Sequence, residues 1–351
     1  MIHEDQDEFP LGRHFGLVAL TGIAGAAAAA LYLPVLWWLS RHLGPEAWAA
    51  RPLTHLVLLC GAGAAVALIG RLAGPSGSVE LLVDNIHVRG GVEGARELRA
   101  LIPASLICIA SGGGMGPEAP LVQTTGTIAG RIADAFGLAA VDKRVLTITG
   151  MAAGFTALFG APVGAAIFAL EILHRGGLEY QEALMPAVIG SLCGYAAFVV
   201  LTGLGLSPTW SFTAVAALRP ADLAWAALAG VAAAAVAAAF AAAHHALSGL
   251  FSHLPAWTRP ILGGLGLGLL ALASPYALTF GEGQLGGLLS VAPVASFFAV
   301  AALAKFCGTT LTVSSGWKGG FIIPLFFIGA CLGRLAHVAF PQTNEIVLMA
   351  A

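Results

Sequence analysis

Glu118 is the residue of this chain best placed to do chemistry. It lies in Gly112-Gly-Gly-Met-Gly-Pro-Glu-Ala-Pro120, and residues 100–117 and 119–130 on either side carry no charged side chain. An ionisable group at membrane depth is costly and marks a functional site by default. Helix breakers bracket it, Gly116 and Pro117 before and Pro120 after. The pattern predicts a helix that starts in the middle of a membrane, with its positive end beside a titratable acid. The plainer reading is an acid that only caps a helix over 119–136.

Two further blocks share the same grammar of glycines, then proline, then an apolar helix. They are Gly150-Met-Ala-Ala-Gly-Phe-Thr-Ala-Leu-Phe-Gly-Ala-Pro162 and Ser314-Ser-Gly-Trp-Lys-Gly-Gly-Phe-Ile-Ile-Pro324. Short apolar segments interrupted by Gly or Pro at matching places of two halves are the best sequence pointer to a transporter's binding site.

The elements that must position these blocks follow from composition. The chain has 351 residues, 58% hydrophobic and only 10% charged, where soluble domains average about 25% charged. Charge-free runs cover 14–40, 52–70, 145–170, 183–218, 223–258, 260–281, 283–304 and 319–333. Most reach the ~20 residues that cross the hydrocarbon core as a helix, and β-barrels show no such runs. The expectation is an all-α, polytopic, multi-pass membrane protein with helices near 15–41, 53–73, 79–88, 99–113, 119–136, 142–158, 162–174, 181–203, 220–250, 257–275, 294–312 and 322–339. The acidic start (Glu4, Asp5, Asp7, Glu8) lacks the basic region of a signal peptide. The first span is therefore expected to stay. A net charge of −2 without a basic run points away from nucleic acid. Cys60, Cys108, Cys193, Cys307 and Cys331 lie in apolar segments without metal or redox spacing, so no metal or cofactor is implied.

In order and spacing the three blocks resemble the CLC family of chloride channels and proton/chloride exchangers, of the prokaryotic type. The likeness runs from about residue 15 to the end. It implies a CLC-type inverted-repeat fold with broken and re-entrant helices, as a homodimer with one pore per subunit in a lipid bilayer. On that pattern residues 1–14 are a tail, 15–205 a first transmembrane repeat and 206–351 a second, incomplete one. The last residues, Asn344 to Ala351, read as the opening of another apolar helix, and a truncated sequence is expected. The ion implied is chloride or a similar small anion, held loosely by helix N-termini. Glu118 matches the family's gating glutamate, which blocks the path as a carboxylate and swings away when protonated.

Anion binding falls, on the resemblance, to Ser76, Gly116, Ala119, Phe321 and Ile322. Ser76 sits in Pro75-Ser-Gly-Ser-Val79, which keeps only Ser-Gly of the family motif, and Ser78 is a shifted alternative. Ile322 stands where the family places a pore-lining phenylalanine. Where proton-coupled members carry a second glutamate this chain has Ile172, with Glu171 just before it. That alignment favours channel-like movement of the anion. A proton relay through Glu171 or His174, and a fluoride-selective member, are the alternatives. An enzyme is not expected: an intramembrane serine protease would need a histidine partner for Ser76, and a cation transporter would need more acids than Glu118 and Glu171. Lys305, in an apolar span, is expected either to face an aqueous vestibule or to snorkel to the interface. Lys318 is expected at a pore mouth or on the surface, His244-His245 at an interface, and Gly264-Leu-Gly-Leu-Gly268 at a close helix crossing.

Overall fold

Small residues, where backbones must meet, decide how this chain packs. The computed structural model describes residues 11–74, 95–172, 179–204, 219–290 and 294–350. Its helices are α1 (Leu11–Leu43), α2 (Pro45–Trp48), α3 (Pro52–Ala73), α4 (Ala95–Ala110), α5 (Glu118–Ala135), α6 (Ala140–Phe159), α7 (Pro162–Ile172) and α8 (Glu179–Thr202). Then come α9 (Pro220–Ser252), α10 (Arg259–Ala273), a 3-10 turn (Pro275–Ala277), α11 (Glu282–Ser290), α12 (Ala295–Ser314), α13 (Ile322–Ala339) and α14 (Glu345–Ala350). Among the described residues, six segments are long and apolar enough to cross a membrane: His14–Trp48, Pro52–Ala73, Glu182–Thr202, Pro220–Ser252, Ala295–Ser314 and Ile322–Ala339. Pro162–Ile172 and Arg259–Ala273 are shorter apolar helices. The protein is an all-α, multi-pass membrane protein.

The chain forms two compact units that do not follow chain order. The first takes residues 1–35, 73–101 and 118–209, and the second 36–72, 102–117 and 210–351. The chain leaves the first unit inside α1, beside Pro34, and again inside α4, beside Pro103.

In the first unit α6 packs against α5, α7 and α8. Lipid tails offer helices no hydrophobic reason to associate, so close packing of small residues must supply the attraction. A Cβ on Gly150 would come 2.6 Å from the Ala129 methyl, and one on Gly154 2.6 Å from the Thr125 hydroxyl. A Cβ on Gly22 would overlap the Gly190 carbonyl, and one on Gly190 would overlap the Thr149 methyl. The hydroxyls of Thr124, Thr127, Thr149 and Thr156 donate to carbonyls one turn back, at 2.7–2.9 Å, and need no external partner in the apolar interior. Phe155, Phe159 and Phe168 close the packing of α6 on α7, with Phe155 and Phe168 edge to face at 4.9 Å.

The second unit repeats the device. Gly63 abuts the Pro260 carbonyl, Gly264 the Leu59 carbonyl, and Gly268 the Leu56 side chain. The Gly264–Gly268 stretch is thus the close crossing that its glycines predict. The core of this unit centres on Phe298 and Phe327, both almost fully buried. Arg334 lies over the Phe298 ring, pairs with Glu345 at 2.8 Å and donates to the Leu288 carbonyl, tying α13 to α11 and α14. The turn before α14 is capped by Asn344, whose side-chain oxygen accepts from the Ile346 amide at 3.1 Å.

The charge-free run 283–304 is not one span. It holds α11, which ends at Ser290, and α12, which begins at Ala295, close to the expected start at 294. The expected 257–275 helix likewise ends at Ala273, and the chain then makes the 3-10 turn. The expected helix at 79–88 lies outside the described residues.

Gly190→Ala should lower the midpoint of thermal unfolding in detergent, because overpacking costs about 1–3 kcal/mol. Gly230→Ala, where a Cβ meets nothing within 4 Å, should not lower it. Fluorescence-detected unfolding of the two purified variants checks this, and equal losses would refute the packing account.

Candidate functional site

Two stretches of the second unit have the same backbone construction. Helix α4 ends at Ala110 and α12 at Ser314, and each is closed by a serine. The Ser111 hydroxyl donates to the Cys108 carbonyl at 3.1 Å, and the Ser315 hydroxyl to the Thr312 carbonyl at 3.0 Å. A glycine follows in the left-handed region, Gly112 at φ +105° and Gly316 at φ +90°, where a Cβ would be strained. The Gly113 amide then reaches back to the Cys108 carbonyl at 2.9 Å, and the Trp317 amide to the Thr312 carbonyl at 3.3 Å. Such bonds satisfy the carbonyls that a helix leaves open at its C-terminus.

The two stretches meet at Gly116 and Gly320, which form an isolated antiparallel bridge. The Gly116 amide donates to the Gly320 carbonyl at 2.7 Å, and the Gly320 amide to the Gly116 carbonyl at 2.6 Å. Two residues beyond each bridged glycine a helix restarts, α5 at Glu118 and α13 at Ile322, with proline as its third residue (Pro120, Pro324). The correspondence holds at one constant interval: 112 with 316, 116 with 320, 118 with 322, 120 with 324. Equal frames differ in one decisive side chain, a carboxylate at 118 where the counterpart carries isoleucine.

Glycine is required here for close approach. A Cβ on Gly114 would come 2.9 Å from the Gly308 carbonyl carbon, and one on Gly319 2.7 Å from the Met115 side chain. Outside groups fix the loops further. The imidazole Nε2 of His55, on α3, donates to the Ser111 carbonyl at 2.9 Å. Trp317 donates its indole N–H to the Pro260 carbonyl at 2.7 Å. The Lys318 amide donates to the Cys108 thiol sulfur at 3.2 Å. The Thr279 amide donates to the Gly112 carbonyl at 2.8 Å.

Lys305 corrects an expectation. It neither faces a vestibule nor snorkels, but is fully buried. Its ammonium donates to the carbonyls of Leu278 at 2.6 Å and Thr279 at 2.8 Å, and to the Gln284 amide oxygen at 2.9 Å. An ammonium has three donors, and each is used. The ring of Phe327 lies 5.0 Å from it. Thr279 is the one non-glycine residue with positive φ (+60°) among the described residues. A β-branched residue there is an outlier, costs about 1–3 kcal/mol, and persists only where its surroundings enforce it.

The residues singled out in the sequence take these places. Glu118 is the first residue of α5 and fully buried, Gly116 is buried and Ala119 half-buried. Phe321 is exposed, with its ring centroid 5.5 Å from that of Phe240, and Ile322 is half-buried. The bridge brings Gly116 to the strip that holds Phe321 and Ile322. Glu171, exposed, and Ile172, half-buried, end α7 in the first unit. Ser76, Ser78 and His174 lie outside the described residues. Lys318 is half-buried, and His244 shares a 2.9 Å contact with the Ser314 hydroxyl. His55, Thr279 and Trp317 were not singled out from sequence. The available signal was Lys305 itself, since a cation in an apolar span demands acceptors.

Comparison with known proteins agrees with this architecture. The family described as voltage gated chloride channel matches residues 62–351. A protein of Pseudomonas syringae pv. tomato named chloride/fluoride channel protein is 29% identical over 371 residues, covering 99% of this chain and 78% of its own length. A putative chloride channel protein of Ralstonia nicotianae is 28% identical over 340 residues, covering 91% of this chain and 77% of its own. Among solved structures, a CLC-type fluoride/proton antiporter superposes with a TM-score of 0.79 at 24% identity, over 97% of this chain and 85% of that one. A slow cyanobacterial chloride/proton antiporter superposes with a TM-score of 0.80 at 20% identity, over 97% and 83%. The folds are the same, and with a family match that spans most of its length the chain belongs to the voltage gated chloride channel (CLC) family.

Proposed function

We propose that the protein moves chloride, or a similar small anion, across the membrane along a path gated by the Glu118 carboxyl. One observation carries this reading. A fully buried acid opens α5 two residues after a glycine bridged to the loop from which α13 starts. The amides at Ala119, Phe321 and Ile322 are the intended anion donors, with Ser76 as a hydroxyl donor; the amide of Gly116, a member of the same expected set, donates to the Gly320 carbonyl. Backbone dipoles hold an anion without a fixed cation and so let it leave. The carboxylate competes with the ion for that position, and a proton removes its charge. The reading includes two transmembrane repeats, 15–205 and 206–351, and a homodimer with one path in each subunit.

Movement is read as channel-like, because the position at which coupled family members carry a second glutamate is Ile172. Coupled exchange is the second reading. It is favoured by the exposed carboxylate of Glu171 at the end of α7, which would be the proton's way in. Fluoride is the alternative ion, given that the Pseudomonas relative is named for both.

Two measurements on liposomes holding the full-length protein test these statements. Wild-type chloride efflux should change with pH by up to about tenfold per unit across the carboxyl's titration, the limit for one proton. In Glu118→Gln it should be flat, and an unchanged pH profile in that variant would remove Glu118 from the gate. Simultaneous recording of external pH decides the coupling. Chloride efflux without opposing proton movement supports the channel reading. Uphill proton movement that disappears in Glu171→Gln would replace it with exchange. Absence of anion flux from the wild type would overturn the function altogether.

A further inference from the structure

We propose that Lys305 is a positioning residue for the anion path, acting through the Thr279 turn on the Gly112–Gly116 loop. The inference rests on the anion-transport reading for its consequence, but on geometry for its substance. The fully buried ammonium donates to three neutral oxygens, those of Leu278, Thr279 and Gln284. Two of them are consecutive main-chain carbonyls after the 3-10 turn Pro275–Ala277. Holding both fixes the two peptide planes that flank Thr279 and keeps it at φ +60°, a conformation that threonine does not keep unaided.

That conformation directs the Thr279 amide at the Gly112 carbonyl, 2.8 Å away. Gly112 is the left-handed residue from which the loop runs to the bridged Gly116, and Glu118 follows two residues later. The same helix adds a second hold on these parts. Gly308, one turn after Lys305 on α12, lies under the Ala277 carbonyl and against Gly114. The 275–281 turn is thus fastened to α12 by Lys305 and Gly308, and to the first glycine loop by Thr279.

Two competing roles make different demands. A lysine that acted through its charge on the anion would be replaceable by any cation of similar reach. A lysine that merely filled space would be replaceable by methionine. A positioning lysine has to keep three donors on three fixed oxygens, and arginine's flat fork cannot match an ammonium's arrangement. The need for it should also fall when residue 279 takes positive φ freely, as glycine does.

The experiment uses the full-length protein with Lys305→Met, Lys305→Arg, Thr279→Gly, and the Thr279→Gly combination with each lysine variant. Arg334→Gln serves as a control, because Arg334 ties α13 to α11 and α14 rather than to the glycine loop. Two readouts are taken: amide hydrogen exchange over 112–117, and the chloride-to-fluoride flux ratio in liposomes. Lys305→Met should speed exchange over 112–117 about tenfold and shift the flux ratio about threefold or more. Lys305→Arg should shift both less, and adding Thr279→Gly should bring both readouts back toward wild type. Arg334→Gln should speed exchange in α11, α13 and α14 and leave 112–117 unchanged.

Wild-type exchange and flux ratio in Lys305→Met, or no recovery on adding Thr279→Gly, would overturn the inference. So would Lys305→Arg behaving as wild type in both readouts. If Lys305→Met does not fold, the arginine pair decides. If the wild type moves no anion, the function fails, while hydrogen exchange still decides whether Lys305 positions the loop.

Discussion

The pair of hydrogen bonds between Gly116 and Gly320 is the constraint on which the rest of the site depends. Loops inside an apolar molecule are tolerated only where their backbone groups find partners. Here each loop supplies the other's partners. That mutual satisfaction lets two helices end in the interior, two others restart two residues beyond the bridge, and an acid stand at one restart. Close approach of main chains leaves no room for side chains, hence Gly113, Gly114 and Gly319 pressed against Trp317, Gly308 and Met115. The seryl closures at Ser111 and Ser315 complete the frame by occupying carbonyls at the helix ends.

Many of the buried polar groups described above are turned upon the main chain. Threonine hydroxyls donate one turn back along their own helices. His55 and Trp317 donate to carbonyls of neighbouring segments. Lys305 spends three donors on neutral oxygens. Unsatisfied polar groups are far costlier in lipid than ordinary packing defects. A structure rich in broken helices therefore needs such carbonyl acceptors, and donors matched to them.

Much of this was legible in the sequence. The acid at 118 stood out because no other charge lies near it, and the glycine and proline blocks marked where helices break. The Gly264–Gly268 spacing gave a helix crossing, and Asn344 to Ala351 gave a helix start. Other features were not legible, for physical reasons. Bridge pairing is a long-range backbone event without a side-chain signature, so nothing local announces that 116 meets 320. The left-handed Thr279 contradicts its own propensity, and the groups that hold its carbonyl and its amide, Lys305 and Gly112, lie far from it along the chain. Helix α12 was expected near 294–312 and starts at Ala295, whereas the short α11, rich in glycine, offered too few turns to stand out. Lys305 was recognised as unusual, but a single charge in an apolar span does not reveal which oxygens will receive it.

Because the bridge is built wholly of main-chain atoms, it is indifferent to most changes in the residues beside it. A proline at 116 or 320, or bulk at the pressed glycines, would take it apart. Ala119, Phe321 and Ile322 therefore adorn a scaffold that does not depend on them. Side chains at the starts of α5 and α13 are thereby free to change while the backbone frame that carries them stays as it is.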